Sequence, residues 1–309
     1  MKLGKWSKLY KSEMVTPVPK VFPTKSPEDL RNISGLLTFN NISEQLVAEL
    51  MISDIMTDLD ISQYANQKGV SLQHYLIKMI NRILTDTDKS SKGEVNAVLA
   101  TLVDWKEAFP RQCPKLGVEA FIKCGVRGSL IPLLINYLQG RTMKVKWNGL
   151  TSSERELNGG GPQGATFGIW EYLVQSNDNS DCVDPEYRYK FVDDLTILEK
   201  INLLIIGLAS FNCQATVPSN IPSHNQFIPA EHLESQEYLK TIQEWTENQK
   251  MKLNKKKTKV MIFNFTSEHQ FTANLRLDNE DLEVVEQAKL LILIVANASA
   301  DVSGDRTSD

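Results

Sequence analysis

The stretch YKFVDDLTIL, Tyr189 to Leu198, sets two adjacent aspartates, Asp193 and Asp194, inside an apolar, β-prone run. Burying one carboxylate in low dielectric costs several kcal/mol unless something compensates it, and two neighbouring carboxylates also repel each other. Two explanations stay open. Phe191-Val192 and Leu195-Thr196-Ile197 read as short strands, so the pair is a hairpin turn, a place that aspartate favours. Alternatively, the hairpin presents both carboxylates to a divalent cation, whose charge removes the burial cost and the repulsion together. The second reading requires further ligands elsewhere in the chain.

The whole chain bounds the answer. Its 309 residues, 41% of them hydrophobic, are enough for one large domain or two to three lobes with a real core. Cys113, Cys124, Cys182 and Cys213 show no CxxC pairing and no histidine at zinc spacing, which predicts reduced thiols in an intracellular compartment. The longest apolar runs, around Ile201 to Phe211 and Leu290 to Ala296, are too short to span a bilayer, and the Lys-rich start MKLGKWSKLYK lacks an apolar signal core. No membrane role follows. With 34 basic against 38 acidic residues the protein is not coated in positive charge, so any grip on nucleic acid must be local. Lys2, Lys5, Lys8 and Lys11 form one basic cluster and KMKLNKKKTK, Lys250 to Lys259, another; such clusters are either solvated faces or phosphate sites.

Patterning along the chain sets the elements. Residues 15 to 38 carry four prolines and read as an extended, irregular segment. Ser43 to Leu59 and Ser71 to Leu84 alternate at helical period. NAVLATLVDW, Asn96 to Trp105, is nearly continuously apolar and predicts a buried strand ending at Asp104. Helices are expected over Lys115 to Cys124 and Leu130 to Leu138, then a hairpin from Arg141 to Leu157 around Asn148-Gly149. The glycine-rich NGGGPQGATFGIW, Asn158 to Trp170, leads into another helix; a helix over Glu231 to Lys250 and a strand over Val260 to Phe265 follow. Hairpin connections and the lack of a glycine-rich dinucleotide loop after the first strand favour an α+β layout over a doubly wound sheet.

Asp104 at a strand end and Asp193-Asp194 on a hairpin supply the missing ligand. If the two strands are adjacent, three carboxylates make a hard oxygen-rich site suited to two Mg²⁺ ions roughly 4 Å apart, an arrangement used for phosphoryl transfer. No nucleophilic serine or cysteine is then required.

These motifs resemble the reverse transcriptase domain of non-LTR retrotransposons, the RNA-directed DNA polymerases. FVDDL at 191 to 195 is similar to that family's catalytic hairpin and LVDWKEAFP at 102 to 110 to its first aspartate motif. GGGPQG at 159 to 164 resembles the loop under the templating base and incoming nucleotide, LNKKKT at 253 to 258 the lysine-bearing motif beyond the hairpin, and QYANQKGVSLQ at 63 to 73 a fingers segment. All five stand in the family order over residues 15 to 265.

The resemblance implies a right-hand polymerase of fingers and palm, with an antiparallel palm sheet and packed helices. Asp104, Asp193 and Asp194 would hold two Mg²⁺ ions, with Mn²⁺ as a substitute, and Lys257 would stand near the leaving pyrophosphate. Phe109, five residues after Asp104, falls where the family keeps a ring beneath the sugar; its plain alternative is a core phenylalanine. Gly160, Gly161 and Gly164 let the loop approach closely, and Gln163 offers a neutral amide to nucleotide or backbone. Lys25 and Arg31 match positions that grip the triphosphate. The implied partners are an RNA template, a DNA primer and a deoxynucleoside triphosphate.

Two departures qualify the match. Asn32 follows Arg31 where the family usually has proline, and past Val285 the chain reads KLLILIVANASADVSGDRTSD instead of a strand leading into a helical thumb. The expected organisation is therefore a basic segment at 1–14, fingers and palm at 15–265, an incomplete palm and thumb junction at 266–289 and an atypical tail at 290–309, with no nuclease domain upstream. The rival readings are a remnant that binds nucleic acid, or does nothing, without turnover, and an unrelated metal-dependent phosphohydrolase, which leaves GGGPQG and LNKKKT unexplained.

Overall fold

Two five-stranded sheets carry the helices of this protein, one in each of the two compact units into which the chain divides. The computed structural model describes residues 4–88, 96–162, 164–202, 225–265, 270–290 and 293–296. The units are assembled from alternating segments, Met1–Asp60, Glu107–Asn179 and Thr246–Lys252 in the first and Ile61–Lys106, Ser180–Trp245 and Leu253–Asp309 in the second.

In the first unit β1 (Ser12–Pro19) runs antiparallel to β2 (Leu30–Gly35) and parallel to β4 (Arg141–Trp147). Beyond β4 the chain turns at Asn148-Gly149, with φ of 48° and 80°, into β5 (Leu150–Thr151), and β6 (Arg155–Leu157) pairs back on β4. Positive φ at both turn residues is the geometry that matches the twist of a two-residue hairpin, which is why Asn-Gly sits there. The proline-rich stretch expected to be irregular is thus a strand pair. Pairing of β1 with β4 covers only Ser12 to Val15, so Pro17 and Pro19 fall where β2 alone flanks the strand and a missing amide does least harm.

Against this unit's core lie α1 (Thr38–Ile55), α3 (Pro114–Lys123), α4 (Ile131–Leu138) and α5 (Thr166–Gln175), which contribute Met51, Ile55, Phe121, Leu134, Tyr137, Phe167 and Leu173 around Trp6. The first helix starts five residues before the expected Ser43 and ends at Ile55. Its opening turn is fastened by polar contacts that hydrophobic period does not read: Trp6 Nε1 donates to Asn40 Oδ1 (2.8 Å), Asn40 Nδ2 to Glu44 Oε1 (2.7 Å) and Tyr137 Oη to the same oxygen (2.8 Å).

The second unit is built on β3 (Asn96–Val103), the centre of a sheet of order β14-β10-β3-β8-β7. Its partners β7 (Arg188–Phe191), β8 (Asp194–Asn202) and β10 (Lys259–Phe263) are antiparallel neighbours, and β14 (Glu283–Val284) adds a short parallel edge. Seven of the eight β3 residues are buried, as the continuous apolar run requires. The amphipathic α2 (Leu72–Thr87), capped by Ser71, lays Tyr75, Met79 and Ile83 on Val98, Ala100, Tyr189, Leu198 and Met261. At the start of α6 (Glu234–Gln249) the amides of Glu234 and Ser235 donate to the Glu199 carboxylate, each at 2.9 Å.

Further short pairs follow: β9 (Asn225–Ile228) with β11 (Gln270–Ala273), β12 (Arg276–Leu277) with β13 (Glu280–Asp281), and β15 (Gln287–Leu290) with β16 (Leu293–Ala296). Of the stretch set apart as an atypical tail, Leu290 and Leu293–Ala296 are therefore strand; residues 291, 292 and 297–309 lie outside the described residues, as do residues 203–211 of the apolar run that begins at Ile201. Among the described residues no helix is long and apolar enough to cross a membrane.

Candidate active site

The β3–β8 register places the aspartates. Its last pair is Val103↔Leu195, so one more step sets Asp104 level with Asp194, on the same face of the sheet. Phe191 pairs with Asp194, which leaves Val192-Asp193 as a two-residue turn between β7 and β8. Asp193 is exposed at the tip, while Asp104 and Asp194 are half-buried. The carboxyl of Asp194 is pushed up to about 7, first by burial, then by the charge of Asp193 and of Asp104. The three aspartates named from sequence are thus electrostatic neighbours on two adjacent strands. Among the described residues no three His, Cys, Asp or Glu side chains close into a ready-made metal cage.

The turn is held in an uncommon conformation. Val192 has φ of +57°, a left-handed region that a β-branched residue enters at real cost, and that glycine takes in most turns of this kind. Support comes from the segment read as a fingers motif, which in this structure belongs to the second unit: Lys190 N donates to Ser62 O and Tyr64 N to Lys190 O, both at 2.8 Å. Below the turn, Tyr64, Tyr75, Tyr189 and Phe191 form an aromatic cluster, and the Tyr75 and Thr196 hydroxyls lie 2.9 Å apart.

Asp104 is fixed from the other side by the LNKKKT motif. Leu253 bridges Trp105, Asn254 N donates to Asp104 O (2.8 Å), and Asp104 N donates to Oγ1 of the fully buried Thr258 (3.2 Å). The motif's measurable role is therefore to seat the backbone of the first aspartate. Lys257, the residue singled out there, is exposed in the turn whose amide donates to Asn254 O (3.0 Å).

The remaining candidates lie in the first unit. Phe109 is half-buried and stacks on Tyr172 with centroids 5.3 Å apart and planes at 29°. The glycine loop wraps the same turn: Gly161 N donates to Phe109 O (3.1 Å) and Gly160 N to Gln112 O (2.8 Å). A Cβ on Gly161 would sit 1.8 Å from Gln112 Oε1, so no larger residue fits without moving that side chain. Gly164, at φ +99°, approaches Ser34 O of β2, the strand that carries the exposed Arg31. Lys25 is exposed in the loop between β1 and β2, where its own amide donates to Asp29 Oδ2 (2.9 Å). Gln163 lies outside the described residues.

The hairpin-bearing sheet and its helices define a class, the fingers-and-palm polymerase fold. Two solved structures share it: apo telomerase from Candida Tropicalis truncated from its C-terminal domain, with a TM-score of 0.55 at 13% identity over 97% of this chain and 56% of that one, and the telomerase of the same organism in complex with a TWJ fragment of telomeric RNA, with a TM-score of 0.50 at 10% identity over 84% and 42%.

By sequence the particular relatives are RNA-directed DNA polymerases of non-LTR retrotransposons. The chain is 30% identical over 159 residues to the probable RNA-directed DNA polymerase from transposon X-element of Drosophila melanogaster, covering 50% of this chain and 17% of the relative. It is 25% identical over 259 residues to the RNA-directed DNA polymerase from mobile element jockey of the same species, covering 82% and 26%. The chain thus spans about a quarter or less of the curated relatives it matches. No family model matches it.

Proposed function

We propose that this chain is an RNA-directed DNA polymerase domain that joins a deoxynucleoside triphosphate to a primer 3′-hydroxyl on an RNA template. The observation that carries the reading is the charge coupling of Asp104, Asp193 and Asp194 at the end of β3 and β8. Asp104 and Asp193 both raise the proton affinity of Asp194, and a hard divalent cation relieves that crowding, so the residues fit Mg²⁺. Asp104, Asp193 and Asp194 would hold the ions. Bound there, Mg²⁺ would supply a lowered pKa for the primer hydroxyl and charge neutralisation at the phosphates.

The chain's other residues position and discriminate. The Phe109 ring, braced on Tyr172, would lie beneath the sugar and exclude a 2′-hydroxyl. Lys25 and Arg31, both exposed, would hold the triphosphate, Lys257 would give a proton to the leaving pyrophosphate, and Gly161, Gln163 and Gly164 would bind the nucleotide. A second reading is nucleic-acid binding without turnover. Primer extension with Asp193→Asn separates the two: an active parent and an inactive, folded variant support the polymerase, whereas an Asn variant that extends at the parent rate refutes the assignment.

A further inference from the structure

The buried Gln63 touches the strained turn directly. Its side-chain Oε1 accepts from Val192 N (3.1 Å) and from Ala65 N (3.0 Å), and the side chain is almost fully enclosed, at 3% exposure. Its own backbone is locked on both sides: Gln63 bridges Lys190 in parallel register, flanked by the two Lys190 hydrogen bonds, and the Gln67 side-chain amide donates to Gln63 O. This acceptor is therefore fixed by four neighbours and aimed at the amide of the one residue in the hairpin whose φ is unfavourable for its type.

We infer that Gln63 is a positioning residue: its side-chain carbonyl holds Val192 in the left-handed region and thereby sets where the Asp193 and Asp194 carboxylates stand. Neither of its contacts is with the aspartates themselves. A valine at φ +57° relaxes toward negative φ once its amide is released, and that rotation moves Asp193 at the turn tip and shifts Asp194 from its place level with Asp104. A neutral acceptor suits the place, because a carboxylate at position 63 would add a fourth negative charge beside a crowded set. The consequence for nucleotide addition rests on the polymerase reading; the tether itself does not.

The test uses the full chain and two readouts. Gln63→Met keeps the volume and removes the acceptor, so the Val192 amide should exchange with solvent roughly ten-fold faster or more, while amides of β3 at Val98 to Ala100 keep their protection. In primer extension the same variant should need several-fold more Mg²⁺ for half-maximal rate. Adding Val192→Gly should shrink that Mg²⁺ penalty, because glycine holds positive φ without a tether. Unchanged exchange at Val192 overturns the tether. Equal loss of protection throughout β3, or a Mg²⁺ penalty of the same size in the glycine background, reduces Gln63 to a packing residue and overturns the positioning role. If the parent chain extends no primer, the polymerase reading fails by itself and the exchange result still decides the tether.

Discussion

Asp194→Asn tests the crowded charges without any turnover. In the folded protein without metal, the Asp194 carboxyl is pushed up to about 7 by burial and by Asp193 and Asp104, against an ordinary aspartate near 3.8. A raised carboxyl pKa means that the folded state prefers the proton, so the penalty is absent below the unfolded value, grows as pH rises from about 4 to about 7, and stays constant above. At 1.36 kcal/mol per pH unit the ceiling is roughly 4 kcal/mol. Asp194 is only half-buried and the hairpin can adjust, so about 1–3 kcal/mol is the expected size. In chelator at pH 8, Asp194→Asn should therefore melt several degrees above the parent, and at pH 4 the two should nearly coincide. Adding Mg²⁺ at pH 8 should raise the parent and move the variant less. Thermal melts across pH read all of this, and a difference that is independent of pH, or a variant less stable than the parent at pH 8, would refute the charge-crowding account.

Two other outcomes follow from the first unit. Phe109→Ala should relax discrimination against ribonucleotides by roughly ten- to a hundred-fold, measured as the ratio of incorporation efficiencies, because the ring is the proposed steric filter; an unchanged ratio in an active variant would leave Phe109 as packing against Tyr172. Glu171, 1% exposed and with neither carboxylate oxygen hydrogen-bonded among the described residues, is pushed up to about 7 by burial, against the opposing pull of Arg141. Its charged form is therefore the unstable one in the folded state, and Glu171→Gln should stabilise the chain above pH 7 by up to about 3 kcal/mol and leave it unchanged near pH 4, as pH-dependent melts would register.

What could be read from sequence was whatever depends on local pattern. Continuous apolar residues marked β3, Asn148-Gly149 marked its hairpin, and Asp193-Asp194 in an apolar run marked the charge that needed an explanation. The contacts that seat those charges are long-range and leave no periodic trace. Gln63 reaches Val192 across 129 positions, and Thr258 reaches Asp104 across 154. Both residues sit in motifs that the family resemblance had flagged for other reasons, a fingers segment and a lysine. The start of α1 was missed because buried Asn40 and Glu44 break the apolar stripe while satisfying each other. Prolines hid β1, since nothing in the sequence says which half of a strand lacks a second neighbour.

Two costs coincide at the tip of the β7–β8 hairpin: an unfavourable φ at Val192 and an unfavourable charge at Asp194. A hairpin free to minimise its energy would remove the first with glycine and the second with asparagine. Here the surrounding chain instead restrains the backbone on both sides of the site, Gln63 and the aromatic cluster beneath the turn, Asn254 and Thr258 at Asp104, and each of these hydrogen bonds is made to a main-chain atom of the turn or of Asp104. These contacts position the aspartates through the main chain. That arrangement explains why charge-removing substitutions at Asp193 or Asp194 should spare the fold, while a neutral substitution at Gln63, distant in sequence and carrying no charge, should disturb how the carboxylates meet a cation.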